Sequence, residues 1–137
     1  FCHSQHHAQP SLRRRQPEPL VELHPDLARQ KGIGEADWVV IRSPLGSMRA
    51  RARITSGIAV DTVCAQYGWW EDCPDLGLAG YDLTQANYNA LMDSEGFDPA
   101  SGSNALRGFP CTVSADSRFQ VSAAFGGEGA LALEDRT

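Results

Sequence analysis

The residues that could carry chemistry are scattered rather than clustered. Four cysteines (Cys2, Cys64, Cys73, Cys111) form no C-x-x-C pair. They offer neither a zinc site nor an iron–sulfur cluster a plausible ligand set. Buried thiols are the simpler reading, and they fix no compartment. His3, His6 and His7 look like a metal cluster, but histidines on a flexible start bind metal only casually. Arg49, Arg51 and Arg53 alternate along one stretch. By default they form a solvated face, with pairing to acidic groups of another domain as the functional alternative. Trp69 and Trp70 read first as core or interface aromatics, and Asn87 and Asn89 as turn formers.

Composition narrows the classes. The chain has 137 residues, enough for one domain with a real core and no need of staples. A net charge of −5 argues against sequence-independent nucleic-acid binding. The basic residues are nearly all arginine, with Lys31 the single lysine; this suits bidentate anion contacts, or reflects a GC-rich genome. No apolar run is long enough to suggest a membrane span, and no signal-peptide pattern opens the chain. It starts at Phe1 in mid-phrase, as an excised piece of something larger would.

These residues need elements to position them. Residues 1–19 are polar and Pro- and His-rich, and read as extended or looping chain without a core of its own. Leu20-Val21-Glu22-Leu23 reads as a strand. A short helix follows from His24 to Gly32, with Pro25 at its first position, Asp26 and Lys31 matched to its dipole, and Gly32 as its stop. Trp38-Val39-Val40-Ile41-Arg42 is β-prone, Ser43-Pro44-Leu45-Gly46 is a turn, and residues 47–54 form a second strand. There Met48, Ala50, Ala52 and Ile54 share the inner face and the three arginines the other. Residues 60–66 and 111–115 read as further strands, with a helical turn at 104–107 and another strand candidate at 119–123. Between 67 and 110 the pattern dissolves into Gly, Asp, Asn and Ser. Such a long irregular segment inside a domain points to the site.

Three segments together resemble the molybdopterin-dinucleotide-binding domain of the dimethyl-sulfoxide-reductase family. The first is His3-Ser4-Gln5 with Pro19-Leu20-Val21-Glu22-Leu23-His24-Pro25-Asp26-Leu27-Ala28. The second is the hairpin Gly34-Glu35-Ala36-Asp37-Trp38-Val39-Val40-Ile41-Arg42-Ser43-Pro44-Leu45-Gly46-Ser47. The third is Tyr67-Gly68-Trp69-Trp70, then Asn87-Tyr88-Asn89-Ala90-Leu91, then Asp98-Pro99-Ala100-Ser101-Gly102. The likeness spans roughly residues 1–113. It implies a mainly β fold: a six-stranded double-psi β-barrel, like that of the aspartate decarboxylases, with short helices and long loops. Residues 1–19 would be an extended segment carrying cofactor contacts, residues 20–115 the barrel, and residues 116–137 a tail and a candidate for disorder.

The resemblance further implies a cofactor, molybdopterin guanine dinucleotide (bis-MGD), holding molybdenum or tungsten in the intact enzyme. The catalytic metal ligand would lie outside this chain, which would supply binding and electrostatics and be inactive alone. Carried over by motif, the cofactor-binding residues are His3, Ser4, Gln5, Gly68, Trp69, Tyr81, Asn87, Asn89 and Arg107. Two extra residues, Gly108 and Phe109, set Arg107 farther from the last strand than the basic residue that relatives place a few residues before it. Gln66-Tyr67 stands where many relatives have a histidine before the glycine. Implied partners are upstream domains of the same polypeptide, with an iron–sulfur electron-transfer subunit as a further candidate. Neither nucleic acid nor a direct membrane span is expected, and cytoplasm and periplasm stay open.

Two other functions compete on the same barrel. One is a self-cleaving pyruvoyl decarboxylase, for which Gly46-Ser47 and Gly102-Ser103 supply Gly-Ser bonds. The other is a peptide-binding adaptor, which the arginine strand would suit but which leaves His3-Ser4-Gln5 and Asn89 unexplained.

Overall fold

The signals that mark the helix and the hairpin are realised almost residue for residue in the computed structural model, which describes residues 1, 5–81, 85–93, 95–103 and 108–118. Helix α1 is Pro10–Arg13, strand β1 Leu20–Leu23 and helix α2 Pro25–Lys31. Strands β2 to β5 are Trp38–Arg42, Ser47–Ile54, Val63–Ala65 and Thr112–Ala115. Two 3-10 turns lie between the last two strands, at Pro74–Leu76 and Tyr88–Leu91. Helix α2 starts where His24 Nδ1 accepts from the Asp26 N–H at 3.2 Å and ends on Gly32 at φ 64°. A left-handed residue costs glycine little, which is why it stops helices so often.

The strands form one mixed sheet in the order β4-β1-β3-β2-β5. β1 runs parallel to β3, with Leu20 opposite Arg51 and Leu23 opposite Ile54. The other pairings, β1 with β4, β2 with β3 and β2 with β5, are antiparallel. The inner face buries Val21, Leu23, Val39, Ile41, Met48, Ala50, Ala52 and Val113, and helix α2 adds Ala28 to this core. Period-two alternation puts every second residue of a strand there. Val63 and Ala65 of β4, at one end of the sheet order, line a small cavity together with Ile41 of β2 and Cys111 beside β5. The two ends of the sheet therefore face a common space, so the sheet is curled.

Several expectations are corrected. Of the six strands expected, the described residues contain five. The strand expected over 60–66 is confined to Val63–Ala65, because residues 59–62 close a turn through the Thr62 N–H and the Ala59 carbonyl at 3.1 Å. The stretch 1–19 is not merely looping chain: it contains α1, and His7 and Arg13 are buried. The arginine face is not simply solvated. Arg49 pairs with Asp116 at 2.6 Å, Arg51 with Glu18 at 2.7 Å and Arg53 with Glu22 at 3.7 Å, all within this chain. The helical turn at 104–107 and the strand at 119–123 lie outside the described residues. No described helix is long and apolar enough to cross a membrane.

Candidate functional site

The irregular segment after β4 is held to the sheet at two places, and each makes a different surface. The first is a groove of about 430 Å³ between β4 and the Tyr88–Leu91 turn. Its walls include Cys64, Tyr67, Tyr88, Asn89, Met92 and Gly108. That volume falls within the usual range of small-molecule sites, roughly 300–1,000 Å³. Asn87 shapes the turn: its side-chain oxygen accepts from the Asn89 N–H at 3.1 Å. Asn89 itself is exposed, and its side-chain amide has no hydrogen-bond partner among the described residues. An amide carries both donors and an acceptor. Beside two phenol rings and a thioether it can hydrogen-bond the edge of a flat heterocycle while the rings cover its face.

The hairpin sets the height of that turn. A Cβ on Gly46 would stand inside contact distance of the Ala90 carbonyl oxygen. Gly46 thus lets the β2–β3 turn lie directly against the backbone that carries Asn89. The Arg49 N–H bonds the Gln85 carbonyl at 2.7 Å and ties the approach to the same turn onto β3.

The groove continues into a second cavity of about 530 Å³, sharing Thr62, Val63 and Gly108 with the first. Lys31, Gln30 and Asp61 stand at one side, and Cys111 and Thr112 at the other. Cys111 is exposed, and partial burial of its thiol pushes its pKa up from the ordinary value. Lys31 is the cation at this end. No signal of charge pattern or motif marked this second cavity in the sequence, because its lining comes from three separate elements.

The second surface is the node around Trp69. Gly68, at φ 84°, turns the chain out of β4. Trp69 points inward at 1 % exposure and Trp70 outward at 62 %. The Trp69 ring packs against His7 at 4.5 Å and stands edge-on to Phe1 at 5.6 Å and Tyr81 at 6.4 Å. Its indole N–H is buried and has no hydrogen-bond partner among the described residues. Tyr81 is half-buried near Trp38, with ring centroids 6.0 Å apart. Burial, then Glu18, raises its phenol pKa, against the opposing pull of Arg13, Arg51 and Arg49. Tyr81 therefore remains a neutral phenol, able to donate.

The motif residues thus divide. Asn89 faces the groove and Asn87 caps the turn beneath it. Gln5 lines a separate depression of about 200 Å³ with Phe1, His6, Leu12, Arg15 and Gln16. Gln16 hydrogen-bonds Gln66, whose Oε1 also accepts from the Leu20 N–H at 3.2 Å. Gln66 is thereby committed to the chain's own backbone, while Tyr67, directly before Gly68, lines the groove. His3, Ser4 and Arg107 lie outside the described residues, although Gly108, next to Arg107, borders both cavities. The Asp98-to-Gly102 motif is a self-closed turn. Asp98 Oδ1 accepts from the Ala100 and Ser101 N–H groups at 2.8 Å each. The Ser101 N–H, then that of Ala100, holds this carboxyl below its ordinary pKa. Among the described residues no group of three His, Cys, Asp or Glu side chains could hold a metal ion.

A curled β-sheet with an aromatic-and-amide groove along its open side defines a ligand-binding module that gathers no catalytic metal set in its described part. The family described as "Molydopterin dinucleotide binding domain" matches residues 1–110. The chain belongs to this molybdopterin dinucleotide binding family. It is 33 % identical over 113 residues to a dopamine dehydroxylase of Eggerthella lenta, covering 82 % of this chain and 11 % of that protein. It is 29 % identical over 97 residues to the molybdopterin-containing subunit of the arsenate respiratory reductase of Chrysiogenes arsenatis, covering 66 % of this chain and 11 % of the relative. Among solved structures, the acetylene hydratase from Pelobacter acetylenicus superposes with a TM-score of 0.70 at 22 % identity, over 82 % of this chain and 16 % of the other. The chain therefore spans about a tenth of the length of the curated relatives it matches.

Proposed function

We propose that this chain is the cofactor-binding module of a larger molybdenum or tungsten oxidoreductase, and that it closes over molybdopterin guanine dinucleotide with the open side of its curled sheet. We read that sheet as part of a six-stranded double-psi barrel. The observation that carries the reading is Asn89, an amide with no partner among the described residues, displayed between Tyr67, Tyr88 and Met92 in a groove of suitable size. These residues fit a flat heterocycle that presents hydrogen-bonding edges, which pterin and guanine both do. Lys31 and Thr62 in the adjoining cavity suit a diphosphate.

In this reading Asn89 and the groove hold one ring system, while Gln5, with His3 and Ser4, runs along another part of the same cofactor. Arg107 would serve its charge, and Tyr81 and the Gly68-Trp69 segment would back the N-terminal contacts. The bound cofactor supplies the oxidation–reduction chemistry at its metal. This chain contributes position, exclusion of water and hydrogen bonds, with no catalytic group of its own. Upstream domains of the same polypeptide are the natural partners, with an iron–sulfur subunit as electron carrier. The relatives include a dehydroxylase, an arsenate reductase subunit and an acetylene hydratase, so we read both the reaction and its substrate as set by parts of the polypeptide outside this chain.

The test is cofactor content. The full-length polypeptide is purified, and its pterin and guanine nucleotide are released by oxidation and counted. We expect stoichiometric pterin in the wild type, and retention roughly three- to tenfold weaker in Asn89→Ala, the scale of one or two lost hydrogen bonds. A wild-type protein without pterin would overturn the reading.

A further inference from the structure

We propose that Arg13 is the positioning residue for the N-terminal cofactor-contact segment, acting through the carbonyl of His7, two residues beyond Gln5. The proposal rests on the cofactor reading above and concerns a residue that no motif of the family resemblance includes.

Arg13 sits in a run of three arginines, yet it alone of the three is buried, at 0 % exposure, while Arg14 and Arg15 are exposed. A buried guanidinium normally meets a carboxylate. None of the ion pairs among the described residues involves Arg13. Its nitrogens donate to backbone carbonyls instead. Nε reaches Pro17 at 2.9 Å, Nη1 reaches His7 at 3.2 Å and Glu71 at 3.0 Å, and Nη2 reaches Ala79 at 2.9 Å. The guanidinium also lies 4.9 Å from the centroid of the Trp69 ring. A rigid planar fork of donors is the side chain that can serve carbonyls from separate stretches in one plane.

The two ends of this clamp are unequal. Glu71 and Ala79 bracket a loop that folds back on itself through a bridge between Cys73 and Leu78, with the Cys73 N–H on the Leu78 carbonyl at 2.8 Å. This end is the anchor. At the other end the chain turns through His6, at φ 70°, with the Gln9 N–H on the His6 carbonyl at 3.1 Å. The His7 ring then packs at a tilt against both Phe1 and Trp69, 4.0 and 4.5 Å away. A second tie, Cys73 Sγ to the Ala8 carbonyl at 3.4 Å, joins the same two stretches. Gln5 leads directly into this turn and lines one depression with Leu12 and Arg15. Moving the guanidinium therefore moves the His7 carbonyl, and with it Gln5.

A positioning role and a merely stabilising one differ in how Arg13 couples to Gln5. The full-length polypeptide is prepared as wild type, Gln5→Ala, Arg13→Lys and the double variant. Pterin retention after extensive dilution is measured with the thermal midpoint of each. Lysine keeps the charge but loses the planar fork. We expect Gln5→Ala and Arg13→Lys each to weaken retention several-fold, and Arg13→Lys to have no further effect once Gln5 is gone. Losses that multiply in the double variant would overturn the proposal. So would an Arg13→Lys protein that melts earlier yet keeps wild-type pterin. If the wild type carries no pterin, the cofactor reading has failed, and the proposal is then judged by amide hydrogen exchange alone. Arg13→Lys should speed exchange over residues 5–9 and leave residues 47–54 unchanged, and unchanged exchange at 5–9 refutes it. Should Arg13→Lys not accumulate, Trp69→Phe, which weakens the platform under the guanidinium, is expected to give the same pattern of coupling to Gln5; independence from Gln5 would again refute it.

Discussion

The node around Arg13 and the groove around Asn89 lie on either side of the same short stretch after β4, and they are finished in opposite ways. At the node the guanidinium of Arg13 is spread over four backbone carbonyls and an indole face, with no water-facing surface left. In the groove the Asn89 side-chain amide has no partner among the described residues, and aromatic rings line an open space. A group whose hydrogen bonds are made by the protein is there to hold shape; one whose bonds are left to be made by something else is there to bind. The difference teaches that this module separates the two tasks by position in the chain. In the function proposed above, residues before and after Trp69 set geometry, and residues on the 3-10 turn would present the cofactor contacts.

That contrast can be broken by mutation. The largest effect is expected from Arg13→Met, which removes the fork and its bonds to the carbonyls of His7, Pro17, Glu71 and Ala79. Denaturant unfolding should show a loss of about 2–3 kcal/mol, the scale of lost hydrogen bonds from a charged group. Asn89→Ala should leave stability within about 0.5 kcal/mol. Equal losses at the two positions would erase the distinction. Next comes Gly46→Ala, whose new Cβ presses on the Ala90 carbonyl. It should cost about 1–3 kcal/mol and shift the amide resonances of residues 87–91. The control, Gly57→Ala, meets only Thr55 Oγ1 at 3.4 Å and should be near neutral. Asn87→Ala, removing the cap of the 3-10 turn, should cost about 1 kcal/mol by analogy with helix N-caps and weaken cofactor retention through Asn89.

A smaller effect is set by pH. Asp116 is buried and accepts from Arg118 at 3.0 Å and from Arg49 at 2.6 Å. The Arg118 side chain first, then its backbone N–H and Arg49, hold the carboxyl down to about 2 against the opposing push of burial. A depressed folded-state pKa stabilises the fold above the ordinary value of 3.8, and that stabilisation is lost as pH falls towards 2. Acid titration of stability should therefore steepen between these values and flatten in Asp116→Asn. An unaltered titration in that variant would show that the pair with Arg49 does not anchor the end of β5.

Local signals were legible where short-range physics decides. The cap and stop of α2, the β2–β3 hairpin and the inward alternation of Met48, Ala50 and Ala52 follow from residue types a few positions apart. The family was legible because its motifs sit at the hairpin and at the Asn87-to-Leu91 turn, where local sequence and contact coincide. Arg13 was not legible. Three consecutive arginines give no sign of which one turns inward, and its partners, Glu71 and Ala79, offer only their backbones, which carry no residue-specific signal. The pairing of the arginine strand was hidden for a similar reason. Glu18, Glu22 and Asp116 come from distant places and meet β3 only once the sheet has formed. The groove could be placed in the irregular segment but not drawn, since its other wall is β4.

The central claim is that the cofactor lies along the open side of the sheet, between the Gln5 segment and the Asn89 groove. Amide hydrogen exchange of the full-length polypeptide, cofactor-loaded against cofactor-free, tests it most directly. The expected result is protection over residues 5–9, 85–92 and 108–112, with α2 residues 25–29 and the β2–β3 turn unchanged. Protection confined to other parts of the chain, with those three stretches unaffected, would contradict it.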